Sequence, residues 1–313
     1  METRKDKRKK KKGMKKGLKI FLIVIGVLLL AAIIYVGYLW KQVDDAVSQM
    51  YEPLESDEAK KAEIEERFEN KDTINALLLG VDEREGDRGR ADTIIFLSLN
   101  PDTNKMLMLS IPRDTYVNIP GRGMDKINHS YAFGLSELTV QTVEEFLDTT
   151  VHFYGRVNME GLKDGVDALG GVTVENNMQF TQNGHTFNEG TIELDGDAAL
   201  AYARMRKQDD RGDLGRNDRQ QQIIDAMIEE GSSFGSFTRV ESILDAVGSN
   251  VVTNVQMNEM RKLFMDYRGT RDETVRAEVN GTGQTIGGIW YLVVTEEERA
   301  RLQQLVKDHA EEQ

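Results

Sequence analysis

The sequence predicts an α/β protein: a single extracytoplasmic domain with a central mixed β-sheet flanked by helices, behind one N-terminal transmembrane helix. Three observations predict it. Ile20 to Trp40 holds no charge over 21 residues. Three strand-like apolar runs follow one another between residues 74 and 112. Beyond them, stretches with helical spacing of apolar residues alternate with further short strands.

The uncharged stretch comes first. As a helix rising ~1.5 Å per residue it would span roughly 30 Å, the thickness of a bilayer core. The apolar core of a cleavable signal peptide is shorter, about 7–15 residues. Tyr35, Tyr38 and Trp40 close the stretch as an aromatic belt, so the expectation is a retained anchor. Residues 1–19 carry eleven Lys and Arg against Glu2 and Asp6, a net +9. Positive residues stay on the cytoplasmic side, which places 1–19 inside, 20–40 in the lipid bilayer and 41–313 outside a cell membrane crossed once. Residues 41–72 are charge-rich, sparse in apolar residues and broken by Pro53; they read as a solvated helical stalk. The folded domain is expected over 73–313.

Composition excludes several functions. With +9 in the tail and −13 overall, the rest of the chain carries −22, the wrong sign for a nucleic-acid surface. No cysteine is present, so disulfide and thiolate chemistry are absent. His129, His152, His185 and His309 are scattered without the spacing of a zinc site. No Walker loop or dinucleotide-binding glycine fingerprint appears, and the glycine-rich segment 281–288 reads as a turn.

Within the domain, INALLLGV (74–81) is nearly all apolar, as a strand buried on both faces must be. DTIIFLSLN (92–100) and KMLMLSIP (105–112), joined by a Pro-Asp-Thr-Asn turn, read as a hairpin. Residues 136–148 have helical spacing with Ser136 as N-cap, VTVEN (172–176) reads as a strand, and 195–206 as a helix. A helix is expected over 217–230, with Asn217 capping and Gln220 at the third position. Strands at 274–279 and 287–294 and a charged helix from Glu296 complete the chain.

Charge collects at the ends of these elements. DEREGDRGRAD (82–92) joins the first two strands, with Asp82 and Asp92 at the strand ends and Arg84, Arg88 and Arg90 between. The third strand ends in Pro112-Arg113-Asp114. If strands one and three run parallel with two antiparallel between them, Asp82, Asp92 and Arg113 reach one sheet edge. Carboxylates among arginines suit a metal-bound pyrophosphate, because Mg²⁺ takes carboxylate and phosphate oxygens and Arg grips phosphate with a planar fork. A run of this kind is more often a solvated, self-paired loop. A second arginine group favours the chemical reading: Arg204 and Arg206 close one helix, and Arg216 and Gln220, four apart, share a face near the start of the next. Arg204 and Arg206 are two apart, so one of them must lie beyond the helix end.

Six pieces, in order over residues 74–230, resemble the LytR–CpsA–Psr family of cell-wall ligases: LLLGVDER, GRADTI, SIPRDTYVNIPGRG with KIN, DALGGVTV, LDGDAALAYARMR and GDLGRNDRQQ. Ala91 departs from the family, which commonly has Ser there. The resemblance implies transfer of a teichoic-acid-like or capsular glycopolymer from a polyprenyl-pyrophosphate carrier to a peptidoglycan sugar hydroxyl. It implies that Asp82 and Asp92 hold Mg²⁺, with Mn²⁺ the alternative. It further implies that Arg90, Arg113, Arg204, Arg206 and Arg216 bind the pyrophosphate, supported by Arg84 and Gln220. Either Asp82 or Asp92 would take the hydroxyl proton. Segments 143–147 and 166–172 are candidates to line a groove for the lipid, beside the ordinary reading of both as core. The competing functions are a hydrolase of the same lipid pyrophosphate and a non-catalytic cell-wall regulator.

Overall fold

The computed structural model describes residues 34–35, 37–38, 41–82, 89–231, 248 and 250–312. Nearly all of the expected membrane span, and Arg84 in the 83–88 segment, lie outside the described residues. Among those described, no helix is long and apolar enough to cross a membrane. The chain divides into two compact units, Met1–Val43 and Asp44–Gln313. In the first, the described residues are helical, and Gln42 Nε2 donates to Tyr38 Oη one turn back (2.7 Å).

The second unit carries a six-stranded sheet in the order β11-β6-β1-β2-β3-β12. Its centre is β1 (Ile74–Val81), β2 (Ala91–Asn100) and β3 (Lys105–Ser110), where the apolar runs led. β2 is antiparallel to both neighbours, so β1 and β3 run parallel. β6 (Phe153–Asn158) lies parallel to β1, β12 (Glu273–Glu278) parallel to β3, and β11 (Val251–Thr253) antiparallel to β6. The sheet is therefore mixed, as expected.

Apolar side chains cover both of its faces. Leu77, Leu79, Phe96, Leu107 and Leu109 pack against Val140, Val143 and Phe146 of α3 (His129–Leu147) and Leu302 and Val306 of α8 (Glu296–Glu311). On the other face Leu78, Ile95, Leu97, Met106 and Met108 meet Ile224 of α6 (Asp213–Gly231). A second core joins α4 (Met159–Leu169), α5 (Gly196–Arg204) and α6 to the strand pair β7 (Val172–Asn176) and β10 (Gly190–Leu194). The hairpin β8 (Phe180–Gln182) with β9 (His185–Phe187) completes this part, while the hairpin β4 (Tyr116–Ile119) with β5 (Gly123–Lys126) adds Val117 and Ile119 to the first core. Val143, Phe146 and Leu147 belong to the first core, and Val166 and Val172 to the second. The apolar side chains of both proposed lipid-lining segments are thus packed into core in the ligand-free chain.

Three expectations need correcting. From residue 44 onward, the stretch read as a solvated stalk packs on the domain. Ala46, Val47 and Met50 of the helical segment 41–50 (α1) are buried, as are Ile64 and Phe68 of α2 (Asp57–Asn70). Phe68 meets Phe153 and, edge-on, Tyr267, while Lys60 donates to Glu144 (2.7 Å). Few apolar residues sufficed because those present face inward. Second, α6 begins at Asp213, so Asn217 sits inside it, buried, and is no N-cap. Third, 281–288 is mostly strand: β13 (Thr282–Ile286) pairs with β14 (Ile289–Val293), and only Gly287-Gly288 forms the turn, both with positive φ. Helix α7 (Met257–Asp266) lies between β11 and β12.

Candidate active site at the sheet end

The site begins with an irregularity in the sheet. Gly80 pairs with Thr93 and Val81 with Ala91, so Asp92 is an extra residue, a β-bulge. Bulges bend a strand and re-aim a side chain. Gly80 permits this one, because a Cβ there would come within 2.8 Å of Thr93 Cβ. Asp82 follows β1, and its N–H donates to the Arg90 carbonyl (3.2 Å), closing the loop between the two carboxylates.

β3 delivers Arg113 to the same end. Its Nη1 donates to Asp92 Oδ2 (3.0 Å), and its Nε lies 3.5 Å from Asp114 Oδ2. Asp114 is fixed in turn by Lys126 Nζ (2.5 Å), and Asn128 Nδ2 lies 3.4 Å from Asp92 Oδ1. The Asn128 N–H donates to the Arg113 carbonyl (3.2 Å) while Ile127 is fully buried, so this turn is pinned from both sides. The KIN motif is thus a clamp. Asp114, Lys126 and Asn128 carried no role in the sequence reading. Their positions inside the matched motifs were the available signal.

The second arginine group is built by α5 and α6. Asp195 caps α5 through the Ala198 N–H (2.8 Å). The helix ends at Arg204, Met205 turns extended, and Arg206 lies beyond, both arginines being exposed. This accounts for their two-residue spacing. Arg216 is buried and Gln220 half-buried, one turn apart in α6.

The connection between α5 and α6 is held by residues the sequence reading passed over. Arg219, almost wholly buried, donates to Asp209 Oδ2 (2.7 Å) and to the Met205 carbonyl (2.8 Å), and its guanidinium lies 5.6 Å from the centroid of the Phe180 ring. Burial pushes the Asp209 carboxyl up. The hydrogen bonds from Arg219 and the Arg211 N–H, with both positive charges, outweigh it and hold the group below the usual carboxylate range.

The two halves share one end of the molecule. Glu278, closing β12, lies opposite Ser110, three residues before Arg113. Asp218 of α6 bonds to Glu278, and Asp225 pairs with Arg276 further back along β12. α6 therefore runs antiparallel to β12, with Arg216 and Gln220 near the sheet end where β3 delivers Arg113. A helix N-terminus adds free N–H groups and a positive dipole end.

The residues at this end fit a Mg²⁺-bound pyrophosphate. Asp82 and Asp92 supply hard oxygen donors from adjoining strand ends. Among the described residues no group of three or more His, Asp or Glu could hold a metal unaided. Substrate phosphates and water would have to complete the shell, the usual habit of Mg²⁺.

Comparison with known proteins carries the likeness beyond residues 74–230. The LytR_cpsA_psr family model matches residues 37–308. A polyisoprenyl-teichoic acid–peptidoglycan teichoic acid transferase TagU of Oceanobacillus iheyensis is 50% identical over 299 residues, covering 92% of this chain and 93% of that protein. The crystal structure of Bacillus subtilis TagU superposes with a TM-score of 0.63 at 40% identity, covering 77% of this chain and 98% of that one. A structure of TagT bound to LI-WTA superposes with a TM-score of 0.66 at 30% identity, covering 77% and 92%.

Proposed function

The chain belongs to the LytR–CpsA–Psr family, and from that premise we propose that it is a transferase moving a teichoic-acid-type glycopolymer from a polyprenyl-pyrophosphate carrier to a sugar hydroxyl of peptidoglycan. The observation that carries this reading is the Arg113–Asp92 ion pair, set at a sheet end near which α6 also carries Arg216 and Gln220.

The chemistry is phosphoryl transfer. The acceptor hydroxyl oxygen attacks the phosphorus that bears the glycopolymer. The bond from that phosphorus to the bridging oxygen breaks, and lipid phosphate leaves with the electron pair. Arg90, Arg113, Arg204, Arg206 and Arg216, with Gln220 and Arg84 in support, hold the pyrophosphate and stabilise the charge gathering on its oxygens. Mg²⁺ held by Asp82 and Asp92 would add neutralisation at the same oxygens. One of those two aspartates accepts the hydroxyl proton. No nucleotide is needed, since the pyrophosphate carries the activation. In the ligand-free chain Asp92 and Asp114 neutralise Arg113, so an incoming phosphate competes for a guanidinium already oriented.

The same reading includes the membrane. Residues 20–40 anchor the chain, residues 1–19 stay in the cytoplasm, and the domain works outside, within reach of a lipid-borne substrate. External protease on intact cells should remove the domain; its survival would contradict this topology. The reaction itself is tested by product analysis. A phosphodiester adduct that forms only when a glycan acceptor is supplied supports transfer, whereas free phosphorylated saccharide under both conditions would make the protein a hydrolase.

A further inference from the structure

Beside the outer edge strand β12 lies a cavity of about 500 Å³, between α6 and α8. This is the range of small-molecule sites, about 300–1,000 Å³. Its polar lining is Asp218, Gln221, Arg276, Glu278, Asn280 and Arg301, and its apolar lining Val275, Ala277 and Leu305.

Most of the charged lining is already satisfied. Arg276 pairs with Asp225. Arg301 bonds Glu298 through two nitrogens (2.6 and 2.7 Å), and Asn280 donates to the same carboxylate (3.1 Å). Arg211 pairs with Asp218 (2.5 Å), which bonds Glu278. Two atoms stand apart. Gln221 Nε2, on a side chain 3% exposed, has no hydrogen-bond partner, and neither has Glu278 Oε1. A buried amide donor without a partner costs about 1–3 kcal/mol, so a ligand that satisfies it binds with that advantage.

The pairing decides what such a ligand is. An anion would face Asp218, Glu278, Asp225 and Glu298; a cation would face Arg211, Arg276 and Arg301. Neither charge gains. A hydroxyl, which donates and accepts at once, suits an unsatisfied donor beside an unsatisfied acceptor. Burial, then the hydrogen bond and charge of Asp218, push Glu278 up to about 7, so its carboxyl can offer as well as take a hydrogen bond near neutral pH. The apolar lining suits the C–H face of a sugar ring. The place is apt as well: Glu278 lies opposite Ser110 on the strand that delivers Arg113, and Asp218 lies between Arg216 and Gln220.

We propose that this cavity is a saccharide subsite, taking an uncharged, hydroxyl-rich sugar unit held by Gln221 and Glu278. The assignment deepens the transfer reading and rests on it for biological meaning, but binding is measured without turnover. The sugar could come from the acceptor glycan or from the carrier-borne polymer. N-acetylchitotetraose stands for the first and N-acetylglucosamine 1-phosphate for the second.

The test titrates each probe into the full chain in detergent and compares it with Gln221→Leu, Glu278→Leu and Val275→Trp, the last filling the cavity from half-exposed β12. One probe should bind the wild type and weaken about tenfold or more in all three variants, the worth of a hydrogen bond or two to a buried partner. Loss with chitotetraose, with a raised acceptor KM in transfer, assigns the acceptor. Loss with the sugar phosphate, with a raised donor KM, assigns the donor. Unchanged thermal unfolding and an unchanged affinity for an unglycosylated polyprenyl pyrophosphate show that the fold and the arginine site are intact. No binding by either probe, or undiminished binding in Gln221→Leu, overturns the subsite and leaves the transfer reading standing. Cavity-dependent sugar binding by a chain that transfers nothing would overturn the transfer reading alone.

Discussion

A methyl group added to Gly80 would place a carbon 2.8 Å from Thr93 Cβ and 3.0 Å from its Oγ1. The obstacle is a backbone-tethered atom, so β2 rather than a side-chain tip must yield, and the residue that moves with it is the bulged Asp92. Misplacing a reacting group by about 1 Å can cost roughly a hundredfold in rate. Gly80→Ala should therefore lower the transfer rate about 10- to 100-fold, and adding Thr93→Gly should restore much of it. A single variant with wild-type turnover would show that the bulge does not position Asp92. The bulge was not legible in advance, because INALLLGVDER reads as an uninterrupted strand and loop whichever register it takes. Asp82, Asp92 and Arg113 were legible, since each stands at one end of an apolar run.

At the scale of elements, the piece that organises the arginines is the α5–α6 connection. Asp209 and Arg219 are both nearly inaccessible, at 8% and 4% exposure, and removing one partner of such a pair typically costs about 3–5 kcal/mol. A Cβ on Gly215 would run into the Asp209 carboxylate, so glycine there admits the pair. Asp209→Ala should lower unfolding stability by about 3 kcal/mol and speed hydrogen exchange in residues 205–216 while leaving β1–β3 protected. Uniform loosening of the sheet would contradict a local anchoring role. Sequence periodicity placed the body of α6 but not its start. Asn217 followed by Gln220 imitates a capping box, yet the chain turns earlier, at Gly212, whose φ is +60°. The span 41–72 was misread for a related reason. Its apolar residues are too few for a stripe, and their burial depends on the partners Phe153 and Tyr267, distant in sequence.

At the scale of the whole molecule, α2 is tied to the sheet through His152. This ring is fully buried; its Nδ1 accepts from the Asn75 N–H (2.8 Å), which leaves the proton on Nε2, facing Glu63 Oε1 at 3.3 Å. Burial, then the Arg67 charge, push the imidazole down to about 4, against the opposing pull of Glu63. The folded chain thus binds this proton less readily than the unfolded one. The resulting stability is present above about pH 6.5 and is lost as pH falls toward about 4, on the order of 3 kcal/mol. Urea midpoints of wild type and His152→Gln should converge over that window, with the wild type losing more. Parallel curves would mean that His152 is protonated in the folded state.

The same scale shows how far the sequence reading carried. The α/β class, the three central strands and the hairpin of the second and third followed from apolar runs and short turns. The edge strand β11 did not, being three residues long and defined only by its partner β6. Nor did the Asp218–Glu278 contact, whose members stand sixty residues apart and meet only because α6 runs back along β12.

The central claim is that Arg113 and its neighbours carry out transfer. The most direct test supplies the full chain with a lipid-pyrophosphate-linked saccharide, Mg²⁺ and an uncrosslinked peptidoglycan strand, with Arg113→Ala in parallel. The account predicts a phosphodiester-linked adduct from the wild type and a loss of about a hundredfold or more in a variant that stays folded. Adduct formation by Arg113→Ala at the wild-type rate would contradict it.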